Sequence, residues 1–478
     1  MNTRRHFLLS CSTLAATPGL LAIDEDRSLF IEGYAGEISY APGEELQIHL
    51  SSSSPIASLT IARLGKERLV VHEVKSLEGI LEHPVPVDAS SHGCHWPVAF
   101  RFPIPADWKS GYYEVTMKVS DKGGVFTQRN TRSAGSTCFF VLRPAEPGKD
   151  SRILLQLATH TYNAYNNWGG SSFYAYHGRA GLQGHQVSYH RPPASQFGRW
   201  ELPFVVWAET NGYKIDYATN LDLELHPEIV KPYRLLLSVG HDEYWSAPMR
   251  DTVEDYAAAG GNVAFFSGNT CCWQVRWVPE TRSLLSWKQW FNQDEQYSPV
   301  SEHLPTLATL WSHRLVGRPE NSITGVGFLH GGYHKSHDQL MDGSGAFTVH
   351  RPEHWVFEET NLTAGSEFGG KDSIVGYECD GCELDWREEL PFSTGRDGTP
   401  ENFTVLGTAP AKWAPGDCFW YEDWPGPDHT GHAVLGLYTT PGGGTVVTAG
   451  TTDWAHGLSG GDAAVSQITR NVLDRLGK

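Results

Sequence analysis

Leu235-Leu236-Leu237-Ser238-Val239-Gly240-His241-Asp242-Glu243-Tyr244-Trp245-Ser246 orders the reading of the whole chain. An apolar, strand-forming run stops at a glycine, and an imidazole, two carboxylates and a phenol follow without a gap. In an open α/β sheet, ligands and reacting groups gather at the carboxyl ends of the strands. The plainer reading is that Asp242 and Glu243 cap the helix running on through Met249-Arg250-Asp251-Thr252-Val253. A cap needs one such side chain and four stand here. A strand end that binds a metal and moves a proton is therefore the sharper expectation.

Working outward, strand and helix patterns alternate. Ile153–Leu157 reads as a buried strand, 204–211 as helix, 214–218 as strand, 233–239 as the strand above and 247–259 as helix. Residues 260–268 turn into another strand, and 443–449 with 464–476 read as a strand and closing helix. Such alternation predicts a doubly wound parallel sheet. The stretch 275–434, rich in Gly, Trp and His, reads as a long insertion. Ahead of it, 29–143 carries short β-type runs at 46–50, 58–62, 112–119 and 138–142, the pattern of an antiparallel, immunoglobulin-like sandwich. The expected organisation is a sandwich over 27–146, a Pro-rich linker at 144–149, and an α/β domain over 150–478 with its insertion.

The remaining composition narrows the partners. A formal charge of −18 argues against nucleic acid and anionic membrane. Arg4-Arg5 ahead of an apolar stretch reads as a twin-arginine export signal over 1–26, with cleavage after Ala22 and a periplasmic or secreted product free of the membrane. Seven cysteines lie beyond it, an odd number. Cys379-Asp-Gly-Cys382 has zinc-type spacing but no matching second pair, which favours a disulfide or simple thiols.

A second candidate cluster follows Ile153–Leu157: Thr159-His160-Thr161-Tyr162-Asn163-Ala164-Tyr165-Asn166-Asn167-Trp168-Gly169-Gly170. Parallel strands end at one edge, so these side chains can meet His241 and Glu243. Phenolate and carboxylate oxygens suit a hard ion such as ferric iron. The competing reading is an aromatic packing corner. Asn269, at the next strand end, either steadies an oxyanion or closes a turn. Trp168 and Trp245 either wall a small pocket or are core. Glu378, Asp453 and Trp454 are further polar or aromatic candidates in glycine-rich settings, whereas His92, His95, His330 and His334 read as surface or loop residues.

Tyr162–Gly170, Gly240–Ser246, Gly260–Asn269 and Gly450-Thr-Thr-Asp-Trp454, with Ser110-Gly-Tyr-Tyr-Glu-Val115, resemble the large subunit of N,N-dimethylformamidase and its relatives over about residues 100–478. The resemblance implies an amidohydrolase of small N-substituted amides with one ferric iron (Fe3+) per chain, bound by two tyrosines and a glutamate. It makes Glu243 a ligand and His241 the nearby acid/base. One tyrosine ligand falls at Tyr113 rather than Tyr112, and the other at Tyr162 or Tyr165. The family's large subunit is longer, carries a lectin-like module and works with a small subunit, so a small subunit or a homo-oligomer is expected as partner. The α/β part also resembles the class I glutamine-amidotransferase frame. The sharp Gly-x-Cys-x-Gly turn of a glutaminase nucleophile is missing, which leaves a non-catalytic carbohydrate-binding or scaffold protein as the alternative.

Overall fold

A computed structural model of the chain describes residues 28–122, 131–335, 341–413 and 430–478. The expected export segment 1–26 and Cys418 lie outside the described residues. Residues 28–122 and 131–142 form two sheets over one core. A three-stranded sheet (Ile31–Ala35, Glu45–Ser52, Val98–Pro103) faces a five-stranded one built around Ile56–Leu64, Gly111–Lys122 and Thr131–Leu142. Alternate residues point inward: Leu46, Ile48 and Leu50 meet Leu59, Ile61, Val115, Met117 and Phe140. The pairing is antiparallel except where Ser39–Tyr40 runs parallel to Val141–Leu142.

The second unit is organised by a nine-stranded sheet. Its five parallel strands are Asp216–Thr219, Ile153–Leu157, Leu235–His241, Asn262–Gly268 and Thr445–Thr448, in that spatial order. The expectation of a purely parallel sheet is corrected here. Thr430–Thr439, Thr404–Lys412, Phe347–Val349 and Glu367–Phe368 extend the same sheet antiparallel. Three of these lie within 275–434 and Thr430–Thr439 crosses its end, so that segment supplies three whole strands and part of a fourth. Gly407, Pro410, Gly431 and Gly436 interrupt the two long strands and the other two have only three and two residues, so no alternation marks them in the sequence.

Helices cover both faces of the parallel part. Leu155, Leu237 and Phe266 pack on Phe204 and Val205 of Glu201–Thr210 and on Ile468 and Val472 of Ala463–Gly477. Leu154, Leu236 and Phe265 pack on Leu223 of Asn220–Leu225 and on Met249 and Val253 of Ala247–Ala258. Each fully buried side chain of this kind contributes about 1.5–3 kcal/mol. In chain order the parallel strands lie 2-1-3-4-5, so the winding reverses between Ile153–Leu157 and Leu235–His241. That reversal opens a crevice at the carboxyl ends of those two strands. Among the described residues no helix is long and apolar enough to cross a membrane.

Candidate active site

Leu235–His241 is buried along its whole length and delivers His241 to the crevice. Gly240 sits at φ +84°, and a Cβ there would lie 2.3 Å from Trp200 Cβ. Glycine is required both by the backbone angle and by the approach of Trp200. Asp242 turns back into the sheet. Its carboxylate accepts from Ser238 Oγ at 2.8 Å and Asn220 Nδ2 at 3.2 Å, and from Gln156 Nε2. It thus ties three strand ends together, and burial pushes its carboxyl up to about 6. The helix Ala247–Ala258 is capped by Ser246, whose Oγ accepts from Met249 N. Asp242 and Glu243 are therefore not its caps.

His241 Nε2 lies 3.1 Å from Glu243 Oε2 and 2.8 Å from Glu378 Oε2, with all three side chains buried. Both are ion-pair distances, so one imidazole nitrogen faces two carboxylate oxygens at once. Burial works against the charged imidazole, yet Glu378 and Glu243 outweigh it and hold the His241 pKa up at about 10. Burial also pushes both carboxyls up. For Glu243 the opposing pull of His241, Lys288 and Tyr174 wins and the carboxyl stays below its ordinary range. For Glu378 burial wins and the carboxyl is raised.

Glu378 arrives from elsewhere in the chain. It precedes the short strand Cys379–Gly381, paired with Gly327–Gly332 and bridged at Cys379 to Thr451. Thr452 N donates to the Glu378 carbonyl at 3.1 Å, so the segment after Thr445–Thr448 holds it. Asn269, at φ +50°, has its backbone N–H on Asp380 Oδ1 at 3.0 Å, and Thr270 N–H is on Oδ2 at 3.0 Å. One end of the Asn269 side-chain amide is on Glu378, and Oδ1 is buried without a partner.

The other half of the site is phenolic. Tyr174 Oη lies 2.7 Å from Tyr165 Oη, 2.8 Å from Tyr244 Oη, and 2.8 and 3.0 Å from the two Glu243 oxygens. One hydroxyl hydrogen cannot serve that many oxygens. Burial, followed by the Glu243 charge, raises the pKa of both Tyr165 and Tyr174 far above the ordinary phenol value. Lys288 Nζ donates to Tyr244 Oη at 2.9 Å and stands 3.7 Å over the Tyr174 ring. No group of three His, Cys, Asp or Glu side chains arranged for a metal ion occurs among the described residues. The crowded oxygens of Tyr165, Tyr174 and Glu243 are instead a hard donor set of mixed type, which fits a ferric ion.

The structure brings His241, Glu243, Tyr165, Asn269 and Glu378 together. It does not bring Tyr113 or Tyr162 to them. Alternation along Gly111–Lys122 turns Tyr113 into the sandwich core, stacked 5.2 Å from Trp108 with its hydroxyl on Lys109 O at 2.6 Å. Tyr112 takes the other face and stacks 4.0 Å from Phe197. Tyr162, one helical turn before Tyr165, donates its hydroxyl to Glu201 beneath the sheet. Trp168 packs in a satellite cluster with Tyr34 and Trp96, and Trp245 is core. The rings beside His241 are Trp200 at 5.2 Å and Tyr377 at 5.9 Å. Asp453 holds both walls: Oδ1 accepts from Trp200 Nε1 at 2.9 Å and Oδ2 from Tyr377 N at 2.9 Å. Trp454 is core.

Tyr174, Lys288, Trp200 and Tyr377 carried no pattern of their own, although Tyr174 follows the turn-forming Gly169-Gly170. His92 and His95 are exposed as expected and His330 is half-buried, but His334 is buried with Nδ1 on Pro410 O at 2.9 Å. Cys379, Cys382 and the other four described cysteines are buried free thiols.

The N,N-dimethylformamidase beta subunits of an Alcaligenes species and of Paracoccus aminophilus are each 26% identical to this chain over 80% of its length. The match spans 54% and 55% of those proteins, so this chain covers about half the length of the relatives. Among solved structures, Spo0M, a sporulation control protein from Bacillus subtilis, aligns with 26% of this chain and 51% of its own at 16% identity. Its TM-score of 0.17 carries no argument about fold. The family described as N,N-dimethylformamidase beta subunit-like, C-terminal, matches residues 58–468, and the chain belongs to it.

Proposed function

We propose that this chain hydrolyses small N-substituted amides with one ferric ion held by Tyr165, Tyr174 and Glu243. The observation that carries the reading is the convergence of His241, Glu243 and Glu378 beside a crowd of phenol oxygens in the crevice where the sheet reverses. A resident ferric ion supplies Lewis acidity toward an amide carbonyl or a water molecule. The charge of a resident ion would oppose the pull of Glu243 and Glu378 on the imidazole, and His241 Nε2 then takes a proton from the attacking water and returns one to the departing amine nitrogen. Glu378, the carboxyl that burial raises, holds the imidazolium between those steps. Asn269, with one end on Glu378, offers its free end to the substrate amide. That role replaces the oxyanion donor expected from sequence. Trp200 and Tyr377 exclude water on the open side.

The same reading takes the N-terminal sheets as an immunoglobulin-like sandwich over 27–146 and the large sheet as an amidotransferase-like frame over 150–478. It gives the protein a periplasmic or secreted location by the twin-arginine route, and a small subunit or second copy as partner. Fusing residues 1–30 to a reporter tests the route: replacing Arg4 and Arg5 by Lys abolishes export, and unchanged export overturns it. Iron content, visible absorption from phenolate bound to ferric iron, and amine release from formamides and acetamides test the activity. Colourless, folded, iron-free protein that releases no amine supports the binding-module alternative instead.

A further inference from the structure

Arg199 stands one residue before Trp200, ahead of helix Glu201–Thr210, and is exposed. Its guanidinium carbon lies 4.3 Å over the Trp200 ring and 5.1 Å over the Tyr377 ring. The same two rings stand 5.2 and 5.9 Å from the His241 ring. Stacking uses the flat faces of a guanidinium and leaves its N–H edge free for a planar acceptor. No carboxylate among the described residues is within ion-pair distance of Arg199, and its hydrogen bonds there are made by its backbone, N–H to Gln196 O at 2.9 Å and carbonyl to His456 Nε2 at 3.2 Å. Asp453, behind the same rings, is taken up by Trp200 Nε1, Tyr377 N and Thr452 Oγ1. The crevice therefore has a polarity. Glu243 and Glu378 line its floor and repel an anion, while a guanidinium fixed by two rings marks its rim.

We infer that Arg199 binds a carboxylate of the substrate, so that this chain acts on N-substituted amides carrying an anionic group a few bonds from the scissile bond. The inference rests on the amidohydrolase reading and goes beyond it. An uncharged amide such as the one for which the relatives are named makes no use of such a cation. The carboxylate accepts two N–H groups from Arg199, which points the amide down toward His241 and keeps the charge away from Glu378.

The test compares N-formylglycine with the equally long, neutral N-formylglycinamide in the iron-loaded, full-length protein. Wild type prefers the acid in kcat/KM by roughly 10- to 100-fold, the range of a charge-assisted pair. Arg199→Ala abolishes that preference through KM and leaves the neutral substrate unchanged, and Arg199→Lys retains part of it. Equal kcat/KM for the two substrates in wild type, or an equal loss on both in Arg199→Ala, overturns the inference while leaving the amidohydrolase reading intact. If neither substrate is cleaved, that reading fails, and calorimetric titration with N-formylglycine decides the anion site. Binding by wild type that is lost in Arg199→Ala upholds it, and no binding by wild type overturns it.

Discussion

Glu243 and Glu378 stand on the same imidazole nitrogen but reach it by unlike routes. Glu243 follows directly from a parallel strand that is buried at every position and in register with both neighbours. Glu378 leads into a three-residue strand of a two-stranded sheet whose register shifts, and it is held by the segment around Thr451-Thr452. The electrostatics divide the same way. Lys288 and Tyr174 help His241 keep Glu243 ionised, while Glu378 has Glu243 against it and is raised. Burial thus leaves the Glu378 carboxyl above its ordinary range, while its neighbours hold Glu243 below it. Two carboxyls separated in this way can take two roles at one pH.

The largest expected effect comes from removing what the two carboxylates share. His241→Ala lowers amine release by about 10²–10⁴-fold, the usual worth of a positioned acid/base, and leaves iron content unchanged. Loss of iron in that variant makes His241 a ligand, and a retained rate removes it from the chemistry.

The two supports differ in how they break. At Gly240 an alanine meets both a left-handed backbone angle of +84° and Trp200 Cβ at 2.3 Å. Gly240→Ala therefore costs about 2–5 kcal/mol, strain and overpacking together. At Gly268 only packing is at stake: a Cβ lies 2.5 Å from Thr452 N and 2.8 Å from the Glu378 carbonyl. Gly268→Ala costs about 1–3 kcal/mol and displaces Glu378. Urea unfolding of both variants measures this. A Gly268→Ala penalty larger than that of Gly240→Ala reverses the ranking of the two supports.

The same contrast explains what was legible in the sequence. His241 and Glu243 were found because a long apolar run ends at a glycine beside them, and Tyr165 because it follows a second such run. The two-layer N-terminal region and the five parallel strands followed from regular alternation. Glu378 was noticed only as one polar residue in a glycine-rich setting, since a three-residue strand has too few positions to show a period. Tyr174 and Lys288 reach the site through loops and a short 3-10 turn, where spacing along the chain does not report distance in space. Tyr113 rests on the resemblance alone, and alternation along Gly111–Lys122 turns it into the sandwich core while Tyr112 meets Phe197, so neither reaches His241.

Asp380 extends the comparison to pH. It carries the backbone of Asn269 and Thr270, and burial pushes its carboxyl from 3.8 up to about 8. The unfolded chain releases this proton near its ordinary pKa and the folded chain only near 8. Stability is therefore full below about 4, falls as pH rises toward 8, and is level above. Asp380→Asn flattens that slope by an amount on the order of 5 kcal/mol, at about 1.4 kcal/mol for each pH unit between 3.8 and 8. Parallel pH series of thermal unfolding for both proteins isolate it from Glu201 and Glu320, which burial raises to about 7. Identical slopes place the Asp380 pKa at its ordinary value.

The smallest expected effect separates the tyrosines. Tyr113 donates to Lys109 O inside the N-terminal core, whereas Tyr174 touches Glu243 and Tyr165 directly. Tyr113→Phe removes one neutral hydrogen bond, costs about 1 kcal/mol, and leaves iron content and colour as in wild type. Tyr174→Phe keeps the ring and its packing but takes one of two phenol oxygens from the donor set, so the visible absorption weakens and shifts while the unfolding midpoint changes little. Because both variants delete the same atom from the same residue type, a difference in absorption reports position alone. Loss of colour in Tyr113→Phe with colour kept in Tyr174→Phe moves the donor set to the sandwich and leaves His241 without a neighbouring ion.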